Sequence, residues 1–172
     1  PTYAVVGNHD GGRWAARTTG WPTLDPIDRL LSDASIPLLF NESTTLVVRG
    51  RRIELVGVGD LWAGDCHTPQ AFAGLPSRTA ADGTLRLVMN HNPDAKDEFR
   101  GQDWDLMLCG HTHGGQLKLP WFGTPFAPVH DRRYVAGLNE WEGFQIFTTR
   151  GVGNLHGVRL NCRPEVSVLE VS

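Results

Sequence analysis

Short apolar runs separated by polar loops are the main pattern in the first two thirds of the chain. The runs at 3–6, 85–89 and 106–109 are four or five residues long, and each stops at a glycine or an asparagine. Runs of this length that end at a turn residue predict buried strands that finish at a loop. Two further runs, at 45–48 and 53–58, flank a glycine-containing turn and predict a β-hairpin.

Helical spacing of apolar residues is clear in one segment. Residues 25–34 show it, with Asp25 placed to cap the helix and Pro26 in its first turn. A second, short helix is predicted at 93–99, where it returns the chain to the strand at 106–109. The pattern therefore alternates strands and helices in the first half.

The second half reads differently, because the helical signal disappears after residue 114. Candidate strands alternate there with turns that contain Gly and Pro, at 116–119, 134–138, 144–148 and 166–171. A mixed early half followed by a strand-rich late half is typical of a layered α/β domain. We therefore predict an α/β fold of two packed mixed β-sheets flanked by helices, with residues 1–172 forming a single domain.

Composition narrows the function classes only a little. The chain has 172 residues, of which 40% are hydrophobic and 20% are charged, and its net charge is -3. No block of Lys or Arg is present, which argues against nucleic-acid binding, and no apolar stretch approaches the roughly 20 residues that a membrane-spanning helix needs. Cys66, Cys109 and Cys162 are odd in number and widely spaced, so we expect free thiols.

Side chains able to bind a metal or move a proton follow three of the predicted strands. Asn8 and His9 follow the first strand, His91 the second, and His111 and His113 the third. Ligand sites form at the carboxyl ends of strands in α/β sheets, so these side chains are expected to meet. Imidazole and amide donors without thiolate favour Mn, Fe, Zn or Co. Two such ions about 3.5–4 Å apart activate a bridging water and bind both the attacking and the leaving oxygen of a phosphate ester.

The spacing of these residues suggests separate roles. In an extended loop His111 and His113, two positions apart, point to opposite sides and can serve one cation each. His9 lies next to Asp10, an arrangement that suits a non-ligand imidazole held by a carboxylate. Such an imidazole can stabilise or protonate a leaving oxygen.

Plainer interpretations stay open for individual residues. Asn8 alone is an ordinary turn residue, His91 alone a satisfied core histidine, and Asp10 a helix cap or turn residue. His67 and His130 carry no motif and are taken as solvated or structural. A place at the site is left open for three further residues. His156 lies in the glycine-rich segment 151–157, and Trp62 and Trp121 lie in loops that could form an apolar wall for a substrate.

Taken together, three blocks carry a family resemblance. Gly7-Asn8-His9-Asp10, His91 and Gly110-His111-Thr112-His113 resemble the later signature blocks of the calcineurin-like metallophosphoesterase superfamily, and the segments 114–116, 150–153 and 160–165 are similar to a bacterial phosphodiesterase branch of it. The resemblance implies one metal bound by Asn8, His91 and His111 and a second bound by His113. It also implies that His9 is the catalytic histidine and that Asp10 orients it. The implied cofactors are two divalent ions, with Mn first and Zn, Fe, Co or Mg as alternatives.

The earlier blocks of that superfamily, Asp-x-His and Gly-Asp-x-x-Asp, do not occur before Asn8. The segment 59–65 is superficially similar, but its spacing and position differ. We therefore expect a domain truncated at its amino terminus. The resemblance further implies a small phosphodiester or nucleotide-linked lipid substrate, and membrane association through a preceding segment. It leaves localisation and oligomeric state open.

The function expected from the sequence is metal-dependent phosphodiester hydrolysis by a metal-activated water. The alternative is a non-catalytic metal- or phosphate-binding module or an inactive fragment, to which the absent upstream ligands would point. A structural zinc domain built from Cys66, His67 and Cys109 is a third interpretation. It has little support, because no Cys-x2-Cys pair exists.

Overall fold

The computed structural model describes residues 1–79, 83–154 and 157–170. Its strands are β1 (Glu42–Val48), β2 (Arg51–Gly57), β3 (Leu85–Met89), β4 (Leu106–Cys109), β5 (Gly137–Trp141) and β6 (Phe144–Thr148). Its α-helices are α1 (Gly12–Ala15), α2 (Asp25–Asp33) and α3 (Thr68–Phe72), and 3-10 turns lie at Pro93–Phe99, His113–Gly115 and Arg132–Val135. The α/β class predicted from the sequence is confirmed.

The six strands form one sheet in the order β1-β2-β3-β4-β6-β5. The four inner strands β2, β3, β4 and β6 are parallel, and the outer strands β1 and β5 each pair antiparallel with their neighbour. Inner parallel strands are buried on both faces, which is why β4 is a continuous apolar run and β3 is apolar except for the ion-paired Arg86. The main core packs around Val56, Val88, Met107 and Ile146, one residue from each inner strand, all fully buried.

The expectation of two packed sheets is corrected, since the strands of the described residues belong to a single sheet. Residues 116–119, expected to be a strand, make only single bridges, Leu117 with Leu160 and Leu119 with Gly123. Residues 166–170 form no strand, and Val171 lies outside the described residues. A β-strand is held by a ladder to a partner, so an apolar run with a single bridge does not become one.

Two other strand predictions are shifted. The strand expected at 134–138 is a 3-10 turn followed by β5, because the Asp131 side chain accepts a hydrogen bond from the amide of Arg133 at 3.0 Å and so caps the turn. The run at 3–6 pairs only through Ala4, which bridges Leu38 in parallel. It still leads into Asn8, as the sequence predicted.

A buried ion pair joins two of the inner strands. Glu54 on β2 is fully buried and Arg86 on β3 is 3% exposed. The Arg86 guanidinium donates to Glu54 Oε2 at 2.7 Å, and also to the backbone carbonyls of Asp103 and Pro76. Arg52 approaches the other carboxylate oxygen at 3.2 Å from the exposed side. The pair therefore fixes β2 and β3 beside each other at the end of the sheet opposite His91.

The structure also bears on the predictions for the cysteines and for membrane-spanning helices. The three cysteines are free thiols, as expected. Within the described residues, no helix has the length and apolar character needed to cross a membrane. The assignment of 1–172 to a single domain stays a prediction.

Candidate metal centre

The parallel register of β3 and β4 brings two of the three motif segments to one edge of the sheet. Met89 pairs with Leu108, and the Gly110 amide donates to the His91 carbonyl at 3.0 Å. His91 and His111, which follow the two strands, therefore leave the same carboxyl edge. Asn8 reaches this edge from the segment that follows the bridge at Ala4.

Asn8 and His111 each place a donor atom against Nε2 of His91. Asn8 Oδ1 lies 3.1 Å from His91 Nε2, and His111 Nδ1 lies 3.1 Å from the same nitrogen. One imidazole nitrogen carries a single N–H or a single lone pair, so it cannot fully satisfy both neighbours. Two ligands about 2.1 Å from a metal and at right angles lie about 3.0 Å apart. The spacing of the three donors therefore fits adjacent ligands of one divalent metal.

Burial keeps these histidines neutral. Loss of solvation lowers the pKa of His91 to about 4, with the nearby His113 and His9 adding to the effect. Burial likewise lowers the pKa of His111 to about 3, helped by His91. Neutral imidazoles at pH 7 offer the lone pairs that metal binding requires.

His113 faces the same cavity but makes a different contact. Its Nδ1 lies 3.1 Å from the carbonyl of Gly153, and burial lowers its pKa. A ring N–H donated to a backbone carbonyl orients an imidazole and leaves its other nitrogen free to act as a ligand. Among the described residues, no group of three or more His, Cys, Asp or Glu side chains is placed to hold a metal ion. Two imidazoles and one amide are therefore the donor set that the described part of the chain brings together.

The loop 110–115 turns both of its histidines toward the cavity by left-handed backbone. His111 and His113 have φ of 65° and 51°, values that side-chain-bearing residues adopt only at a cost. Thr112 holds the loop between them, since its hydroxyl donates to the Val135 carbonyl at 2.6 Å and accepts from the Gly114 amide at 3.1 Å. The extended loop assumed from the sequence would have separated the two rings, whereas the observed turn lets both line one space.

His9 and Asp10 also line this cavity, but they do not contact each other as a hydrogen-bonded pair. The Asp10 carboxylate accepts from the Gly7 amide at 2.7 Å, which closes a tight turn. His9 is exposed, and its Nδ1 lies 3.3 Å from the hydroxyl of Thr18. The contact seen for Asp10 is thus the turn contact that the sequence left open, and its orienting role on His9 stays a prediction.

The cavity itself has a volume of about 370 Å³ and contains every site residue predicted from the sequence. Trp62 lines it, with its ring edge-on to His111 at 4.4 Å between centroids, so one of the two tryptophans considered for an apolar wall is placed there. Trp121 does not line it. His156 lies outside the described residues.

Some contributors were not singled out from the sequence. Thr19 and Pro128 line the cavity and carry no motif that would have marked them, whereas Gly153 and Asn154 lie in the glycine-rich segment 151–157. Gly7 has a clear steric role, because a Cβ at this position would lie 2.8 Å from three atoms of the His91 ring. In the sequence, the only indication of this steric role was that Gly7 directly precedes the predicted ligand Asn8.

Comparison with known proteins identifies curated relatives of the chain. The phosphodiesterase YaeI of Escherichia coli strain K12 is 53% identical over 172 residues, which are 99% of this chain and 58% of YaeI. The chain belongs to the metallophosphoesterase family. The uncharacterized metallophosphoesterase YkuE of Bacillus subtilis strain 168 is 28% identical over 95% of the chain and 54% of YkuE. The resemblance read from the motifs is confirmed.

A more distant member of the family carries a specific enzyme name. The UDP-2,3-diacylglucosamine pyrophosphatase LpxG of Chlamydia trachomatis serovar D is 27% identical over 81% of the chain and 43% of LpxG. The chain thus spans about half the length of these relatives. No family model matches the chain, and no solved structure matches it significantly.

Proposed function

We propose that this chain carries the larger part of the active site of a metal-dependent phosphodiesterase. The observation that carries the proposal is the set of three donor atoms from Asn8, His91 and His111, spaced at 3.1 Å in a family of metallophosphoesterases. Asn8, His91 and His111 would hold one divalent ion and His113 would be a ligand of a second. Such ions supply Lewis acidity and an activated water for attack on phosphorus.

Other residues of the cavity have separate roles in the proposed reaction. His9 is exposed at the cavity, where its ring can reach a leaving oxygen and donate a proton to it. Gly7 leaves space for the His91 ring, and Thr112 fixes the two histidines of the loop. The Trp62 ring covers one side of His111, which limits water at that ligand.

Mn is the proposed ion, with Zn, Fe, Co or Mg as alternatives. Imidazole and amide-oxygen donors without thiolate are compatible with Mn, Fe, Zn or Co. The proposed substrate is a small phosphodiester or a nucleotide-linked lipid. The second class is supported by the similarity to LpxG, a UDP-2,3-diacylglucosamine pyrophosphatase, and by the cavity lining, which combines polar side chains with the Trp62 ring.

The test is hydrolysis of bis(p-nitrophenyl) phosphate with added Mn²⁺ by the full-length natural protein and its variants, with bound metal measured in parallel. We expect His111→Ala to lose both metal and activity. We expect His9→Asn to keep its metal and to lose roughly 10²–10⁴ in kcat, the usual worth of a positioned acid. His67→Asn is the matched control, since His67 is exposed and lies outside the cavity.

The non-catalytic alternative makes the opposite prediction. A protein that binds metal through Asn8, His91 and His111 but hydrolyses no phosphodiester would be a binding module. The zinc-domain interpretation has no support in the described residues, where burial raises the pKa of the Cys66 thiol to about 12 and so disfavours the thiolate that zinc needs.

A further inference from the structure

An aromatic loop projects from the surface immediately after the histidine loop. In residues 119–127, Trp121 is 99% exposed, Phe122 is 79% exposed and Phe126 is 69% exposed. Isolated exposed apolar residues are ordinary, but three large aromatic rings within six residues form a patch that calls for a partner.

The loop is held rigidly in this position. The backbones of Leu119 and Gly123 exchange two hydrogen bonds, at 2.7 and 3.0 Å, so that Trp121 and Phe122 occupy the tip of a closed turn. Below the tip, Ala127 and Val129 are buried against Val135 in a small apolar cluster of their own. The exposure of the rings is therefore a property of a fixed turn anchored at its base.

Positive charge surrounds the aromatic tip. No Asp or Glu occurs from residue 106 to residue 130, whereas Lys118 immediately precedes the loop and Arg132 follows it. The Arg132 guanidinium donates to the carbonyls of Thr124 and Pro125, which brings its charge against the loop. Lys118 forms no ion pair with any described residue.

These cations also share a second cavity beside the loop, separate from the candidate metal centre. Its volume is about 520 Å³, and Lys118, Arg132 and Arg133 line it together with Gly123 and Thr124 of the loop. Two of the arginines that line it are neutralised in ion pairs, Arg133 by Asp131 and Arg150 by Glu165. The excess of positive charge in the cavity therefore comes from the side on which the aromatic tip projects.

We propose that the loop 119–127 docks on an anionic lipid surface, with Trp121 and Phe122 inserted at the headgroup level and with Lys118 and Arg132 facing lipid phosphates. The aromatic rings of Trp121 and Phe122 are suited to the interfacial region of a membrane, at the level of the headgroups. Nearby cations add electrostatic attraction to anionic headgroups. Lys118 and Arg132 have no carboxylate partner among the described residues, and this net positive rim is complementary to a surface of anionic lipid headgroups. Pro128 lines the metal-centre cavity directly after the loop, so docking would bring that cavity close to the membrane.

The test is co-sedimentation of the full-length natural protein with vesicles of phosphatidylcholine alone or mixed with phosphatidylglycerol. We expect binding to the mixed vesicles that weakens with added salt. We expect the Trp121→Ser and Phe122→Ser double variant to lose about a hundredfold or more in partitioning, because each inserted ring is worth about a factor of ten or more. Lys118→Gln should reduce binding to the mixed vesicles by several-fold.

The matched control is the Leu30→Ser and Val47→Ser double variant, which removes two exposed apolar side chains from α2 and β1, away from the loop. It should bind vesicles like the unmodified protein. Equal binding by the loop variant and the unmodified protein would overturn the proposal. So would a dimer in light scattering that dissociates only in the loop variant, because the patch would then be a contact between copies. Since vesicle binding needs no turnover, the result does not depend on the proposed hydrolysis.

Discussion

The buried pair of Glu54 and Arg86 gives the sharpest test of what holds the inner strands β2 and β3 together. In Arg86→Met, the carboxylate of Glu54 stays in the core with only Arg52 near it, and the Arg52 side chain is 49% exposed. Removing one member of a buried pair costs about 3–5 kcal/mol, because the remaining charge is left without compensation. We take the lower end, about 3 kcal/mol, because Arg52 still supplies part of the compensation.

The assay is urea unfolding followed by intrinsic tryptophan fluorescence. With a slope of about 2 kcal/mol per molar urea, the transition midpoint should fall by about 1.5 M. Arg52→Met is the matched control, since it removes the exposed partner of the same carboxylate, and it should cost no more than about 1 kcal/mol. The double variant Glu54→Leu with Arg86→Met should recover most of the loss, because it leaves no buried charge.

Two results would refute this reasoning. If Arg86→Met cost less than about 1 kcal/mol, the buried carboxylate would be solvated or protonated at little cost. If the double variant were no more stable than Arg86→Met, the loss would come from the packing of the arginine stem and its bonds to Asp103 and Pro76.

Three further predictions follow from the site. Gly7→Ala should displace the His91 ring and lower metal affinity by about tenfold or more in a metal titration. Gly74→Ala strains a backbone with φ of 82° but meets no atom within 4 Å of its Cβ, so it can lower stability and should leave metal affinity unchanged. In metal-free protein the folded-state pKa of His91, about 4, lies below the unfolded value of about 6.5. The contribution of His91 to stability should therefore be complete above pH 6.5 and should fall by about 3 kcal/mol as the pH drops to 4, and His91→Gln should remove this part of the slope in unfolding curves. Thr112→Val, which removes a buried hydroxyl between two backbone partners, should cost about 1–3 kcal/mol in thermal or urea unfolding and should weaken metal binding as well.

The candidate site was largely accessible from sequence because its residues follow short buried strands. The run at 85–89 coincides with β3 and the run at 106–109 with β4, and each is too short and too apolar to be a surface helix. Once those strands are parallel neighbours, His91 and His111 must leave the same edge. The helix at 25–34 was equally clear, since Pro26 in the first turn and the spacing of its apolar residues agree.

The failures concern segments whose state depends on a distant partner. Residues 116–119 have strand-like composition, but a ladder requires a partner segment in register, and Leu117 finds only a single contact at Leu160. Nor could the sequence show that left-handed backbone at His111 and His113 turns both rings to one side, because that conformation is imposed by Thr112 and its partner Val135, 23 residues away. The exposure of Trp121 was also hidden, since tryptophan is more often buried than presented at a loop tip.

The donor triad of Asn8, His91 and His111 joins residues that are far apart in the chain, and this separation affects how the protein folds. Asn8 and His91, whose donor atoms lie 3.1 Å apart, are separated by 83 positions. Contacts of such long range form late, because the chain must first close a large loop. Partly folded forms lack the triad, so the ion would stabilise only the completed topology and shift the equilibrium toward it by mass action. The supply of metal would thus determine how much of the newly made protein escapes degradation by proteases, as well as how much of it is active.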